Sequence, residues 1–494
     1  MQGSGRTVVM RADASPELGT GHVRRCLALA ESLRMRGARV HLVTRPHAAY
    51  SARLLDDCGF PVVALPGILG RQDDAAATHA ALQGLGVKPD WLILDHYALD
   101  ARWERRLRPS VARILVIDDL ADRDHDTDVL IDPNLYKDPE RRYAGKVPGH
   151  CRLLLGPRYA LLRDEFRRTR SDAKPRTGEV GRILVFFGGG PRAAACSLAA
   201  IEALDDADLH GAAVDVVFQA ADRDRQSVAG ACGRRGYAFH HGTGRMADLM
   251  RQADFGIGAG GTSLWERCSV GLPCLTYALA ENQRQQVREA ATAGVVIAPG
   301  TAPDDTASLG RQLQSCLENP SLLAAISRKA LSVVDGRGLA RVLRVLGMPS
   351  VRVRRAESAD CRPMLDWRNE AGVRDASRDS DLIEPAEHES WFASTLADPD
   401  KLLLIGESEG RPVGVVRFDI DRGAAEISIY MLAGQAGRGL GADLLLAAEE
   451  MLLRARPDIK SVSAEVLADN RSSHELFVSC GYRLGRSTYA KRIA

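Results

Sequence analysis

Short apolar runs of strand length recur along the first two thirds of this chain. Each is followed by helical spacing, and the series starts twice. The first series is Thr7-Val8-Val9-Met10, Val40-His41-Leu42-Val43, Trp91-Leu92-Ile93-Leu94 and Ile114-Leu115-Val116-Ile117. The second is 183–187, 214–218, Asp254-Phe255-Gly256-Ile257, Cys274-Leu275-Thr276 and Val295-Val296-Ile297. Near-continuous apolar strands alternating with helices form βαβ units and parallel sheets covered on both faces. Several runs end in a polar residue, namely Thr44, Asp95 and Asp118. Two such open sheets in succession set the carboxyl ends of their strands around one cleft.

The two series are separated by a charged stretch, 163–182, which carries seven basic residues and Pro175 and reads as a surface linker or a helix plus linker. A second linker falls at Gly347-Met348-Pro349-Ser350. The pattern then changes. Period-two alternation over 412–420 and 425–431 leads to a Gly-rich turn, a long apolar helix, a strand and a short helix, which is an α+β layout. The expected fold class is thus α/β, with two Rossmann-like domains (1–165 and 180–345) followed by an α+β domain (351–494).

Length and composition agree. A chain of 494 residues exceeds a single hydrophobic core. Lys+Arg 66 against Asp+Glu 64 gives a net charge of +2, which argues against a nucleic-acid binder driven by charge. No apolar run is long enough to span a bilayer, and the N-terminus lacks an apolar secretory core, so a cytoplasmic protein is expected. The ten cysteines are scattered, with no Cys-x-x-Cys pair or zinc-ligand spacing, so no metal is expected.

The first strand runs into Arg11-Ala12-Asp13-Ala14-Ser15 and then Gly19-Thr20-Gly21-His22. Apolar residues follow at Val23, Cys26, Leu27, Ala30 and Leu33, a helical spacing. His22 therefore stands near a helix N-terminus at the mouth of the cleft, where a neutral imidazole can take a proton from water. Spacing alone favours a capping or packing role for this residue. The wider segment RADASPELGTGHVRRCLALAESL carries more. Together with Asp95-His96-Tyr97, Ile117-Asp118-Asp119-Leu120-Ala121, GAGGTSLWERCSVGLPCL and Ala280-Glu281-Asn282-Gln283, it closely resembles the PseG family. These are UDP-2,4-diacetamido-2,4,6-trideoxy-β-L-altropyranose hydrolases of pseudaminic acid biosynthesis.

That resemblance, over roughly residues 6–345, implies the glycosyltransferase-B architecture with UDP resting mainly on the second domain. It places the family's catalytic His at His22, as base for water attacking C1 of the sugar with inversion. UDP is a good leaving group, so one base and a cradle for diphosphate charge suffice, where ordinary glycosidases use two carboxylates. Arg11, Asp13, Gly21, Arg25 and Tyr97 are candidate sugar or phosphate contacts, with salt bridges as the alternative for the charged ones. The Asp118-Asp119 pair either orients His22, binds a sugar hydroxyl or caps a helix.

In the second series Gly188-Gly189-Gly190 and Gly258-Ala259-Gly260-Gly261-Thr262-Ser263 each follow a strand and precede a helix, the arrangement that offers amides to a diphosphate. Gly189, Gly190, Gly260, Gly261, Thr262 and Ser263 are the candidates. This half is similar to MurG-like glycosyltransferases. The resemblance implies that Glu266 accepts from the ribose hydroxyls and that Asn282 and Gln283 lie near phosphate or sugar. The run Gly190-Pro191-Arg192 departs from the family, which often has a small or polar residue and then an acidic one.

The last region looks like a GNAT-family acetyltransferase over about residues 351–490. The resemblance is carried by strand Glu426-Ile427-Ser428-Ile429-Tyr430-Met431, the loop Gln435-Ala436-Gly437-Arg438-Gly439-Leu440-Gly441, and Asp469-Asn470-Arg471-Ser472-Ser473. The amides of Gly437, Arg438, Gly439, Leu440 and Gly441 would hold the pyrophosphate of acetyl-CoA. Family logic puts the thioester between splayed strands near Ile429 and Val466, with Asn470 and the candidate catalytic Ser473 near pantetheine and sulfur. Phe477 stands where many members carry a Tyr general acid, leaving Ser473, Tyr482 or water to protonate the thiolate. Pseudaminic acid synthesis places a PseH-type N-acetyltransferase just before the hydrolase, so a fusion of consecutive steps is expected, with a UDP-sugar and acetyl-CoA as substrates. The alternatives are a UDP-sugar glycosyltransferase, a related legionaminic-type hydrolase and acyltransferase, and a scaffold whose acetyltransferase part is inactive.

Overall fold

The computed structural model describes all residues except 1–5, 16–18, 46–54, 68–70, 220–223, 301–305, 376–380, 409, 436–439, 468–469, 484 and 486–494, and the side chains of Arg71, Gln72, Ser171 and Ser479. The chain divides into two compact units, Met1–Val342 and Leu343–Ala494.

The first unit contains two parallel sheets among the described residues. One comprises β1 (Thr7–Ala12), β2 (Arg39–Thr44), β3 (Val62–Ala64), β4 (Trp91–Asp95), β5 (Arg113–Ile117), β6 (Val129–Asp132) and β7 (Arg152–Leu155), in the order β3-β2-β1-β4-β5-β6-β7. The other comprises β8 (Arg182–Phe186), β9 (Ala213–Phe218), β10 (Ala238–His241), β11 (Phe255–Ala259) and β12 (Cys274–Tyr277), in the order β10-β9-β8-β11-β12. Every registered pair in both is parallel. The central strands are dry on both faces, as their composition requires: Val8, Val9, Leu92, Ile93 and Leu94 have no exposed surface, nor do Ile183 and Val185. Burying each such side chain stabilises the fold by roughly 1.5–3 kcal/mol. Both sheets are doubly wound and Rossmann-like, as expected. Their winding reverses between β1 and β4 and between β8 and β11, the crevices where such sheets bind ligands.

Helix Gly21–Arg34 follows β1 and buries Val23, Cys26, Leu27, Ala30 and Leu33, the residues whose spacing predicts it. Gly37, with φ 79°, turns the chain back into β2. One expectation needs correction. Val295-Val296-Ile297 is not a strand: only Ile297 bridges Leu275, and Pro299-Gly300 follow after one residue. The charged stretch 163–182 is the helix plus linker of the two alternatives, since Asp164–Ser171 is helical and buries Phe166. Strands β3, β6, β7 and β10 were not anticipated, being only three or four residues long.

The second unit has one sheet among the described residues, ordered β13 (Arg352–Arg355), β14 (Lys401–Ser408), β15 (Arg411–Asp421), β16 (Ala424–Met431) and β17 (Ser461–Ala464). The pairs are antiparallel except β16 with β17. Alternation divides the faces. Leu404, Val413 and Ile427 pack with helix Leu440–Ala455 through Leu444, Leu445, Ala448 and Leu452. Leu403, Ile405 and Val415 pack with Met364 and Phe392 of helices Cys361–Arg368 and Pro385–Ala397. Gly406 and Gly414 let Leu444 lie against the sheet, since a Cβ at either would come within 2.3 and 2.7 Å of its methyl carbons.

Candidate active site

Strands β1 and β4 run side by side with Ala12 opposite Asp95, so the end of β4 faces the start of the helix that follows β1. His22 is the second residue of that helix, and its Nδ1 lies 2.5 Å from Asp95 Oδ1. Arg25, one turn on, donates to both oxygens of the same carboxylate: Nε to Oδ2 at 2.5 Å and Nη2 to Oδ1 at 2.6 Å. Its Nη2 also lies 3.2 Å from His22 Nδ1, and its Nη1 reaches Asp119 Oδ2 at 3.1 Å. Asp95 is completely buried. Burial would raise its pKa, but Arg25 and His22 outweigh that and hold it well below the usual carboxylate range. An ionised Asp95 accepts from Nδ1–H and so assigns the acceptor lone pair of the neutral ring to Nε2. Among the described residues no hydrogen bond engages Nε2.

Of the alternatives open for Asp118-Asp119, direct orientation of His22 is not the one the structure shows. That task falls to Asp95, because β4, not β5, adjoins β1. Asp118 faces away, meeting Arg123 at 3.0 Å and accepting from Tyr143 Oη at 3.2 Å. Burial would raise its pKa, but His125 and Arg123 bring it to about 2. Asp119 reaches His22 indirectly, through Arg25 and through Tyr97. Arg11 and Asp13 are likewise committed internally. Arg11 is fully buried, with its terminal nitrogens on Asp13 (2.5 and 2.8 Å) and Asp74 (2.8 Å). Asp13 also accepts from the Arg45 amide at 2.8 Å and meets His96 Nε2 at 3.3 Å. Their geometry is that of a buried ion-pair network, the salt-bridge alternative of the sequence reading.

Tyr97 closes one side of the histidine, its ring edge-on with centroids 4.4 Å apart. Its hydroxyl accepts from Asn282 Nδ2 at 3.1 Å, linking the first sheet's site to helix Glu281–Thr292 of the second. The two glycine turns meet as well: a Cβ on Gly21 would stand 3.6 Å from Thr262 Oγ1.

Both glycine loops of the second sheet flank its own crevice. Gly188, with φ 79°, leads from β8 through Gly189 and Gly190 to helix Ala193–Ala203, and Gly261, with φ 88°, leads from β11 into helix Thr262–Ser269. Neither helix has a side-chain cap at its N-terminus. Gly260 is closely packed, since a Cβ there would lie 2.6 Å from Val287 Cγ2. Gln283 accepts from the Leu279 amide at 3.0 Å, so it braces the loop. Ser263 Oγ accepts from Arg267 at 3.2 Å. Glu266 is buried rather than solvated. Its Oε1 accepts from Arg163 at 3.0 Å, and among the described residues nothing donates to Oε2. Sequence reasoning missed Arg163, and also Asn134, which accepts from Trp265 Nε1 at 3.1 Å across the two sheets' domains. It missed the Asp95 partnership too, although an Asp closing the strand beside β1 was the signal.

In the second unit the β16–β17 register ends at Ile427 opposite Ala464, so the strands part at Ile429 and Val466, where the thioester was expected. Leu440 and Gly441 begin helix Leu440–Ala455, with a Cβ on Gly441 placed 3.6 Å from Leu476. Gly437, Arg438 and Gly439 lie outside the described residues. Asn470 caps helix Arg471–Ser479, its Oδ1 accepting from the Ser473 amide at 3.1 Å. Phe477 is buried, edge-on to Tyr482 at 4.9 Å, and Tyr482 donates to Glu449 at 2.6 Å. Among the described residues no cluster of His, Cys, Asp or Glu is arranged to hold a metal, and no helix is long and apolar enough to cross a membrane.

Residues 363–482 match the acetyltransferase (GNAT) family. The chain is 26% identical over 340 residues to the spore coat polysaccharide biosynthesis protein SpsG of Bacillus subtilis (strain 168), spanning 68% of this chain and 96% of that protein. It is 29% identical over 161 residues to the UDP-2,4-diacetamido-2,4,6-trideoxy-beta-L-altropyranose hydrolase of Campylobacter jejuni, spanning 32% of this chain and 53% of that one. Among solved structures, Acinetobacter baumannii MurG aligns with a TM-score of 0.49 at 16% identity, covering 69% of this chain and 99% of MurG. Aminoglycoside acetyltransferase AAC(6')-Ib in complex with coenzyme A aligns with a TM-score of 0.25 at 19% identity, covering 27% and 84%. The chain thus joins an N-terminal part related to sugar-biosynthesis proteins to a C-terminal GNAT acetyltransferase domain.

Proposed function

We propose that the first unit hydrolyses a UDP-linked 2,4-diacetamido-2,4,6-trideoxy sugar to UDP and free sugar, and that the second N-acetylates the 4-amino precursor from acetyl-CoA. The observation that carries the hydrolase reading is the buried His22, held through Nδ1 by a buried ionised Asp95, with no hydrogen bond to Nε2 among the described residues, next to the Thr262 glycine loop of the second sheet.

The chemistry runs as a single displacement. Water attacks C1 of the sugar as the bond from C1 to the diphosphate oxygen breaks, and UDP leaves with that electron pair. Nε2 takes a proton from the attacking water, and Asp95 stabilises the imidazolium that forms. Attack opposite the leaving group inverts C1. The amides of Gly190 and Gly261, with Thr262 and Ser263, receive the diphosphate at helix starts without side-chain caps, while the Gly260 amide donates to the Tyr277 carbonyl at 2.8 Å and shapes the loop. Glu266 Oε2 accepts from a ribose hydroxyl. Gly21 and Tyr97 shape the water side, Asn282 positions Tyr97, and Arg25 fixes the carboxylate. Gln283 supports the loop. In the second unit the loop containing Gly437, Arg438, Gly439, Leu440 and Gly441 holds the pyrophosphate of acetyl-CoA, and Asn470 and Ser473 flank its pantetheine arm.

Purified protein given the UDP-4-amino sugar and acetyl-CoA should yield CoA, UDP and the free diacetamido sugar by mass spectrometry. Absence of UDP from a pre-acetylated substrate sinks the hydrolase reading. UDP release that requires an added sugar acceptor replaces it with glycosyl transfer.

A further inference from the structure

We propose, resting on the nucleotide site of the hydrolase reading above, that Arg267 is a buried cation whose counter-charge is the diphosphate of the bound nucleotide. It acts as a positioning residue, through Ser263 and the loop after β11, without touching the substrate.

Arg267 is the sixth residue of helix Thr262–Ser269, and only 2% of its surface is exposed. Its guanidinium turns back toward the start of that helix. Nη2 donates to the Ala259 carbonyl at 2.7 Å and Nη1 donates to Ser263 Oγ at 3.2 Å, on either side of Gly260 and Gly261. Gly258 leaves room for it, since a Cβ there would stand 3.1 Å from Nη1. Nε is buried with no hydrogen bond among the described residues.

A guanidinium stays ionised in proteins, and a buried charge is costly unless it is paired. The other buried arginines around the crevices follow that rule, Arg11 on Asp13 and Arg25 on Asp95. Arg267 does not: among the described residues no carboxylate is in ion-pair contact with it. Two buried thiols adjoin it without supplying the charge. Burial pushes Cys268 up to about 12 and raises Cys274 as well, against the pull of Arg267, so both stay protonated. The chain thus holds an uncompensated cation directly beneath the loop that the hydrolase reading assigns to the diphosphate.

Its contacts also prepare that loop for an anion. Ser263 Oγ accepts from Arg267, so the hydroxyl proton of Ser263 is left to donate at the helix start. The Ala259 carbonyl, whose oxygen would repel a phosphate, is engaged by Nη2. In the displacement, the electron pair of the C1–O bond passes to the β-phosphate oxygen, and negative charge grows there as UDP leaves. A fixed buried cation favours that growth more strongly than the same charge in water.

The test measures UDP and uridine binding by calorimetry in the full chain, for the wild type, Arg267→Gln and Arg267→Lys. The wild type should bind UDP more tightly than uridine. R267Q, which keeps a donor but loses the charge, should weaken UDP by about 10–10²-fold, the range for a hydrogen bond to a charged group. Its uridine affinity and the second unit's CoA release should stay unchanged. Its melting temperature without ligand should hold or rise, because an unpaired buried charge has been removed, while the shift produced by UDP shrinks. R267K, which keeps the charge, should recover most of the preference for UDP. The proposal is overturned if R267Q keeps the wild-type ratio of UDP to uridine affinity, or if both affinities fall together. A lysine variant that binds uridine normally but has lost the UDP preference overturns it as well, even where R267Q does not fold. Wild-type protein that binds UDP no better than uridine defeats the diphosphate site itself, and the proposal with it.

Discussion

The two crevices of the first unit occupy the same topological position and are built from opposite materials. Between β1 and β4 the surface is made of side chains: His22, Arg25 and Asp95, locked by hydrogen bonds of 2.5–3.2 Å. Between β8 and β11 it is made of backbone, with glycines at 188–190 and 260–261 leading to helix starts that have no side-chain cap. A reacting proton needs one atom held in one orientation, and a buried ion pair supplies that. A diphosphate needs many weak donors around a diffuse charge, and helix starts without side-chain caps are where such donors gather. One doubly wound scaffold can thus serve catalysis at one crevice and cofactor-like binding at the other, by exchanging ionised side chains for glycine.

The contrast can be broken most sharply at His22. His22→Ala should cut UDP release by roughly 10²–10⁴-fold while leaving CoA release intact. Equal loss of both activities in a coupled assay would place the defect in folding rather than in the crevice. Asp95→Asn should come next, on the order of 10²-fold in kcat with little change in KM, because an amide no longer fixes the ring or stabilises its cation. Its pH profile should move with it; an unmoved profile would reduce Asp95 to a packing role.

On the other crevice, Gly260→Ala forces a methyl against Val287. It should cost roughly 1–3 kcal/mol of stability and weaken UDP binding, as calorimetry and thermal melting would show, without altering the His22 site. The smallest effect is expected at Asp132, a buried carboxylate on the far side of Asp119. Burial pushes its carboxyl up to about 7, Asp119 adding to that, while the Asn134 amide and Arg142 pull it down. The folded pKa lies above the ordinary value of about 3.9. Below that value both states hold the proton and the group is neutral to stability. As pH rises toward 7 the unfolded chain ionises first, so stability falls. Asp132→Asn should therefore raise the melting temperature at pH 8 by about 1–2 °C, the shift for about 1 kcal/mol in a unit larger than 250 residues, and by less at pH 5. An equal change at both pH values would remove the titration argument.

Much of this was legible in the chain. Long apolar strands announced themselves because burial on both faces demands continuous hydrophobicity, and Gly-rich turns between strand and helix pointed to the crevices before any topology was known. The four-residue strands β6, β7 and β10 did not, since pairing with a longer neighbour rather than composition makes them strands. Among site residues, His22 and the second sheet's glycines stand in the crevices the motifs indicated. Arg11 and Asp13 looked equally eligible by type and spacing, yet they pair with one another and with Asp74 beneath the surface.

The periodicity of apolar residues by itself determined two parallel α/β sheets and a third, α+β region, because side-chain burial is set locally by the repeat of the backbone. Strand order alone decided which carboxylate serves His22. Asp95 and Asp118 end their strands in similar fashion, and only the insertion of β4 beside β1 brings one to within hydrogen-bonding distance while the other is held by Arg123 and Tyr143. A hydrogen bond depends on separation in space to tenths of an ångström, which residue spacing along a chain does not encode until the sheet has formed.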